Sequence, residues 1–96
     1  MKVTIVGFEN TSYVDKTSGE LKEMLQFSYT KPNKKDNAFG MTVGYENVSA
    51  KAFPEQFRQF TTMGEKILGK TAIISKDVRQ FKDQKYAVLD ELEILT

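Results

Sequence analysis

Val3-Thr4-Ile5-Val6-Gly7-Phe8, Thr11-Ser12-Tyr13-Val14, the polar run Asp15-Lys16-Thr17-Ser18-Gly19, and Leu21-Lys22-Glu23-Met24-Leu25-Gln26-Phe27-Ser28-Tyr29-Thr30 all lie within residues 2–31. This stretch decides the fold. It reads as one long β-hairpin. Asp and Ser can bond their own backbone and Gly supplies positive φ, so residues 15–19 form the turn. In the second arm positions 21, 25, 27 and 29 are apolar and the even positions mostly polar. That is the period of a strand with one buried face. Arms this long exceed what an isolated hairpin can stabilise, so further strands must coil against them.

The stretch Lys31-Pro32-Asn33-Lys34-Lys35-Asp36-Asn37 ends the second strand, because Pro cannot donate to a ladder and Asn and Asp favour turns. Three of its seven residues are lysine. It is either a solvated loop or a loop that contacts phosphates. Residues 39–45, Phe39-Gly40-Met41-Thr42-Val43-Gly44-Tyr45, alternate again, with the large apolar groups at odd positions. Gly40 and Gly44 on the other face point to strong bending, a bulge or a close approach, and barrel closure is the simplest cause. The period then changes. Phe53, Phe57 and Phe60 fall on one helical stripe; Pro54 and Glu55 suit a first turn, with Ser49 or Ala50 as an alternative start, and Gly64 ends or interrupts the helix. Three rings on one stripe read as a plug beneath a barrel. Lys70–Phe81 and Tyr86–Leu95 are the fourth and fifth strands, joined by the tip Lys82-Asp83-Gln84-Lys85. Tyr86, Val88, Leu92 and Ile94 fall on one face, which Asp90 interrupts as either a bulge or a barrel end would.

The reading is an all-β chain with one short helix, in the order β-β-β-α-β-β, forming one domain over residues 1–96. That order is expected of an OB-fold, a five-stranded Greek-key barrel. Composition narrows the function. The chain has no cysteine and no histidine, so thiolate chemistry, disulfides and the commonest general base are absent. No nucleotide-binding or hydrolase motif occurs, and no run of oxygen ligands resembles a calcium loop. The expectation is a non-enzyme with no cofactor and no metal. No apolar run is long enough for a membrane span, and no signal-peptide core opens the chain, so it is expected in the cytoplasm and off the membrane. Net charge is only +1, but residues 66–85 hold six bases against two acids. A basic face suffices for an electrostatic footprint, although a mixed solvated surface explains the same numbers.

Single-stranded nucleic acid, DNA or RNA, fits this architecture. Such sites combine cations along the phosphates with rings that stack bases, over strands 2 and 3 and the loops beside them. The candidates are Tyr13, Lys16 and Lys22 at the first hairpin; Tyr29, Lys31, Lys34 and Lys35 at the end of strand 2; and Arg79, Phe81, Lys82 and Lys85, with Tyr86, at the last hairpin. Phe81 stands out as a large ring in a charged hairpin. A base contact, a cap on the barrel end and a dimer contact all account for it. The competing reading is a protein-interaction module that docks through an edge strand or the Phe53/Phe57/Phe60 helix.

Leu68-Gly69-Lys70 leading into an apolar strand, Val78-Arg79-Gln80-Phe81 before a short tip, and the alternating Leu89-Asp90-Glu91-Leu92-Glu93-Ile94-Leu95 resemble the helix-destabilising, single-stranded-DNA-binding proteins of filamentous phages. The Tyr13–Gly19 loop and the aromatic-ended strand after it resemble them too. The Phe-rich helix departs from that pattern. In size and layout the chain is similar to small single-stranded-DNA-binding proteins of phages and conjugative elements. The resemblance implies a homodimer that coats single strands in DNA replication of a phage or mobile element. It also implies that the last hairpin serves dimerisation or DNA contact, with Phe81 as its aromatic.

Overall fold

Leu25, Phe27 and Tyr29 all turn inward, as strand alternation requires, and the sheet is built outward from them. The computed structural model describes residues 1–33 and 35–96. Its strands are β1 (Lys2–Asn10), β2 (Tyr13–Val14), β3 (Leu21–Lys22), β4 (Met24–Pro32), β5 (Met41–Ser49), β6 (Thr71–Phe81) and β7 (Gln84–Leu95). One helix, α1 (Pro54–Met63), runs into a 3-10 turn at Gly64–Ile67. The five long strands form one antiparallel sheet in the order β5-β4-β1-β6-β7, and β2 and β3 pair separately as a small finger. Among the described residues, no helix is long and apolar enough to cross a membrane.

The long second arm is therefore two strands, not one. Ser12 causes the break: its Oγ accepts from the Met24 N–H at 3.0 Å and approaches the Met24 carbonyl at 3.3 Å. Leu21 lies beyond that break, on the finger, and is exposed rather than buried. The turn at the finger's tip forms as read. The Asp15 carboxylate accepts from the N–H groups of Thr17 and Ser18, which holds its pKa below the ordinary carboxylate value. Gly19 supplies the positive φ.

The helix also follows its sequence. Pro54 opens it, and the Gly64 N–H closes it on the Phe60 carbonyl, with φ of 56° at Gly64. Its start is Phe53, held by an N–H bond to the Ser49 carbonyl. Phe60 is fully buried, with ring centroids 5.2 Å from both Phe8 and Phe27. Phe53 and Phe57 pack half-buried against the same core of Val3, Ile5, Leu25, Ile74 and Leu92. The helix is thus a plug, and its Phe stripe is not a free docking surface.

Two bulges reshape the sheet. In β1, Ile5 pairs with Tyr29 and Gly7 with Ser28, so Val6 is left over. In β7, Glu91 pairs with Ser75 and Leu89 with Lys76, so Asp90 is the extra residue. The Asp90 bulge moves the alternation by one. Leu89 then joins Leu92 and Ile94 at the core, while Tyr86 and Val88 leave the face that sequence alternation gave them.

The sheet is not a closed barrel. β5 and β7 are its two edges, and among the described residues no ladder joins them. Side chains tie each edge to another element instead: Lys76 Nζ on β6 reaches Glu46 Oε1 on β5 at 2.7 Å, and Gln56 Nε2 on α1 donates to the Leu92 carbonyl on β7 at 3.0 Å. The Lys76–Glu46 contact is an ion pair by distance rather than a well-aligned hydrogen bond.

Candidate nucleic-acid interface

Beyond the Asp90 bulge, β6 and β7 continue as a two-stranded arm, with no third strand beside it among the described residues. Arg79 pairs with Tyr86 and Phe81 with Gln84, so alternation sets Arg79, Phe81 and Tyr86 on one face. Phe81 is 65% exposed, and Lys82 Nζ lies 5.6 Å from its ring centroid. Lys82 takes the positive φ of the tip, which aims its ammonium back over the ring. Lys85, also exposed, pairs with Gln80 and so lies on the arm's opposite face. The arm thus joins rings and cations, the two components of a single-strand contact.

The finger carries exposed Tyr13, Val14 and Leu21, with Lys16 in its turn. Tyr13 pairs across with Lys22, whose ammonium is taken by Glu20 at 2.9 Å. That pair raises the Lys22 pKa and lowers that of Glu20. A phosphate at Lys22 would have to displace the Glu20 carboxylate. The finger and the base of the arm border neighbouring hollows. Met24 and Ser49 line a hollow with Tyr13 and Lys22, and also a neighbouring one with Ala87, Val88 and Leu89.

Tyr29 does not belong to this surface. It is 6% exposed, its ring is 6.0 Å from that of Phe27, and burial raises its phenol pKa. It cannot stack a base without leaving the core. Gly44 explains how the ring fits: a Cβ at position 44 would sit 2.6 Å from Tyr29 Cζ and Oη. The cause of glycine in this strand is a neighbouring ring rather than barrel closure.

Because Tyr29 claims that side of β5, the large residues of β5 point the other way. Met41, Val43 and Tyr45 are exposed, and Phe39 just before them is 91% exposed. Their neighbours on β4 are Pro32, Thr30 and Ser28, none of them charged. The sequence alternation alone does not say which face of this strand is buried; the burial of Val48, at an even position, goes with 41, 43 and 45 turned outward. The large residues run from Tyr45 to Met41 at the Pro32 end, about 13 Å at ~3.3 Å per residue, and toward the Met24/Ser49 end the same face carries Asn47 and Ser49.

Lys31 and Lys35 stand at that far end, Lys31 half-buried with Nζ 3.2 Å from Met1 Sδ, and Lys35 exposed. Lys34 lies outside the described residues. Among the described residues, no cluster of three or more acidic side chains could hold a metal ion. No protein-family model, curated protein or solved structure matches the chain.

Proposed function

We propose that this chain is a non-catalytic single-stranded-DNA-binding protein built on an OB-like, partly open Greek-key barrel. The arm carries the reading: Arg79, Phe81, Lys82 and Tyr86 gather ring faces and cations where no core claims them. An OB-fold is a five-stranded, partly open Greek-key barrel, and the open five-stranded sheet with a helix under it fits that description. Rings on the arm and finger stack bases, the β5 stripe supplies a flat uncharged floor, and Arg79, Lys82, Lys85 and Lys16 meet phosphates. The strand can equally be RNA on this chemistry. The resemblance to phage and mobile-element proteins gives the setting: a homodimer coating single strands during replication in the cytoplasm.

The molecular shape supports a second copy. The radius of gyration is 14.9 Å, against about 12.5 Å for a compact domain of this length. A bare two-stranded arm is marginal in water and gains from a partner. The competing reading is a protein-interaction module, and one observation favours it: β5 is an edge strand with an uncharged, apolar outer stripe.

Phe81→Ala separates these accounts at the residue that matters most. A stacked base is worth about 1–3 kcal/mol, so oligo-dT affinity falls roughly 5- to 150-fold. The melting temperature stays where it was, because the ring touches no core. A lost fold would mean that Phe81 is structural, and unchanged affinity would remove it from the site.

A further inference from the structure

At the Pro32/Met41 end of the sheet lies a cavity of about 880 Å³ lined in part by Lys2, Lys31 and Lys35. No acid lines it. Among the described residues the ion pairs are Lys22–Glu20 and Lys76–Glu46, so none of these three ammonium groups is neutralised by a carboxylate. Three like charges around one hollow repel one another, and an anion between them relieves that repulsion. The rest of the lining is of a different kind. Met1, Pro32 and Ala38 give apolar wall, while Asn33 and Thr42 offer short polar side chains. A bare inorganic anion has no use for apolar wall. A nucleotide does, because its base and sugar are apolar-faced while its phosphate is charged. The volume lies in the range of small-molecule sites.

We infer that this hollow takes one phosphorylated nucleoside unit, its phosphates between Lys2, Lys31 and Lys35 and its base against Met1, Pro32 and Ala38. The inference rests on the single-strand reading for the source of that unit. Met41 pairs with Pro32, so the Pro32 wall of the hollow meets the start of the exposed β5 stripe, while Lys31 and Thr42 line it from the other face of the sheet. A strand seated here continues along Met41, Val43 and Tyr45 toward the finger and the arm. The hollow is thus one end of the path, and Lys2 joins the phosphate ligands although it lies far from both hairpins in the sequence.

Two measurements test this. In a ¹⁵N-labelled sample, thymidine 5′-monophosphate shifts the amides of Lys2, Lys31, Asn33 and Thr42, and thymidine at equal concentration does not. Shifts spread evenly over the surface, or none, would overturn the site. The second measurement is the salt dependence of oligo-dT binding by a Lys2→Gln, Lys31→Gln, Lys35→Gln variant. A nucleotide within a strand has a phosphate on each side, so losing both contacts flattens the slope of log K against log salt by about 1.4, ~0.7 for each. An unchanged slope contradicts the proposal. Should the triple variant not fold, Lys2→Gln and Lys35→Gln singly carry the same comparison. Wild-type protein that takes the nucleotide in the hollow yet ignores oligo-dT would keep the site and sink the single-strand reading.

Discussion

Tyr29 and Gly44 belong together, and neither is intelligible alone. The alternation that buries Leu25 and Phe27 also buries Tyr29, so the phenol was legible as core from its own strand. Reading it as a stacking ring set the loop context above the strand period. Gly44→Ala tests the contact. Its Cβ meets a ring that is itself held in the core, so overpacking costs about 1–3 kcal/mol in urea unfolding. A neutral result would show that the ring can move aside. Tyr29 also couples to the Lys76–Glu46 pair. Burial raises the Tyr29 pKa and Glu46 raises that of Lys76. Both folded-state values lie above their unfolded ones, so both groups stabilise the fold fully below the unfolded range. That stability is lost as pH rises through about 10 and upward. Urea midpoints measured from pH 8 to 11 should fall, and should fall less steeply in a Tyr29→Phe, Lys76→Met variant. Equal steepness in both proteins would assign the alkaline loss to other groups.

Among the elements, the helix was the most legible and β5 the least. Pro54, the Phe stripe and Gly64 announce the helix's start, face and stop, and each acts as local chemistry dictates. The Asp90 bulge was visible as a charge interrupting an apolar face. What the bulge does to Tyr86 and Val88 was not visible, because it depends on the partner strand's register. The same limit hid the β5 stripe. A strand with large residues on one face and glycines on the other is ordinarily read with the large face inward, and only the Tyr29 ring across from Gly44 reverses it. The two elements respond oppositely to truncation. Phe60→Ala removes a fully buried ring and costs about 3–5 kcal/mol in chemical unfolding. Tyr45→Ala changes stability by no more than about 0.5 kcal/mol, since its ring faces solvent, yet weakens oligonucleotide binding. A large stability loss in Tyr45→Ala would mean that the stripe is covered in solution.

Over the whole molecule, the extents are 48 × 40 × 17 Å, a thin slab with two projections rather than a ball. The five long strands and the single helix followed from periodicity and turn chemistry, while the separate β2–β3 finger did not. The unbonded seam between β5 and β7 did not, because closure depends on curvature and shear that no local pattern encodes. The charge distribution explains how a chain of net charge +1 could still hold a polyanion. Acids at Asp90, Glu91 and Glu93 offset the total, while Arg79, Lys82 and Lys85 crowd the arm and Lys2, Lys31 and Lys35 the far hollow. The most direct measurement is fluorescence anisotropy of a labelled oligo-dT, titrated with protein at low and at moderate salt and against a duplex of equal length. The account expects tight binding at low salt, a steep loss as salt rises through counterion release, and strong preference for the single strand. No binding at micromolar protein and low salt, or equal affinity for the duplex, would contradict it.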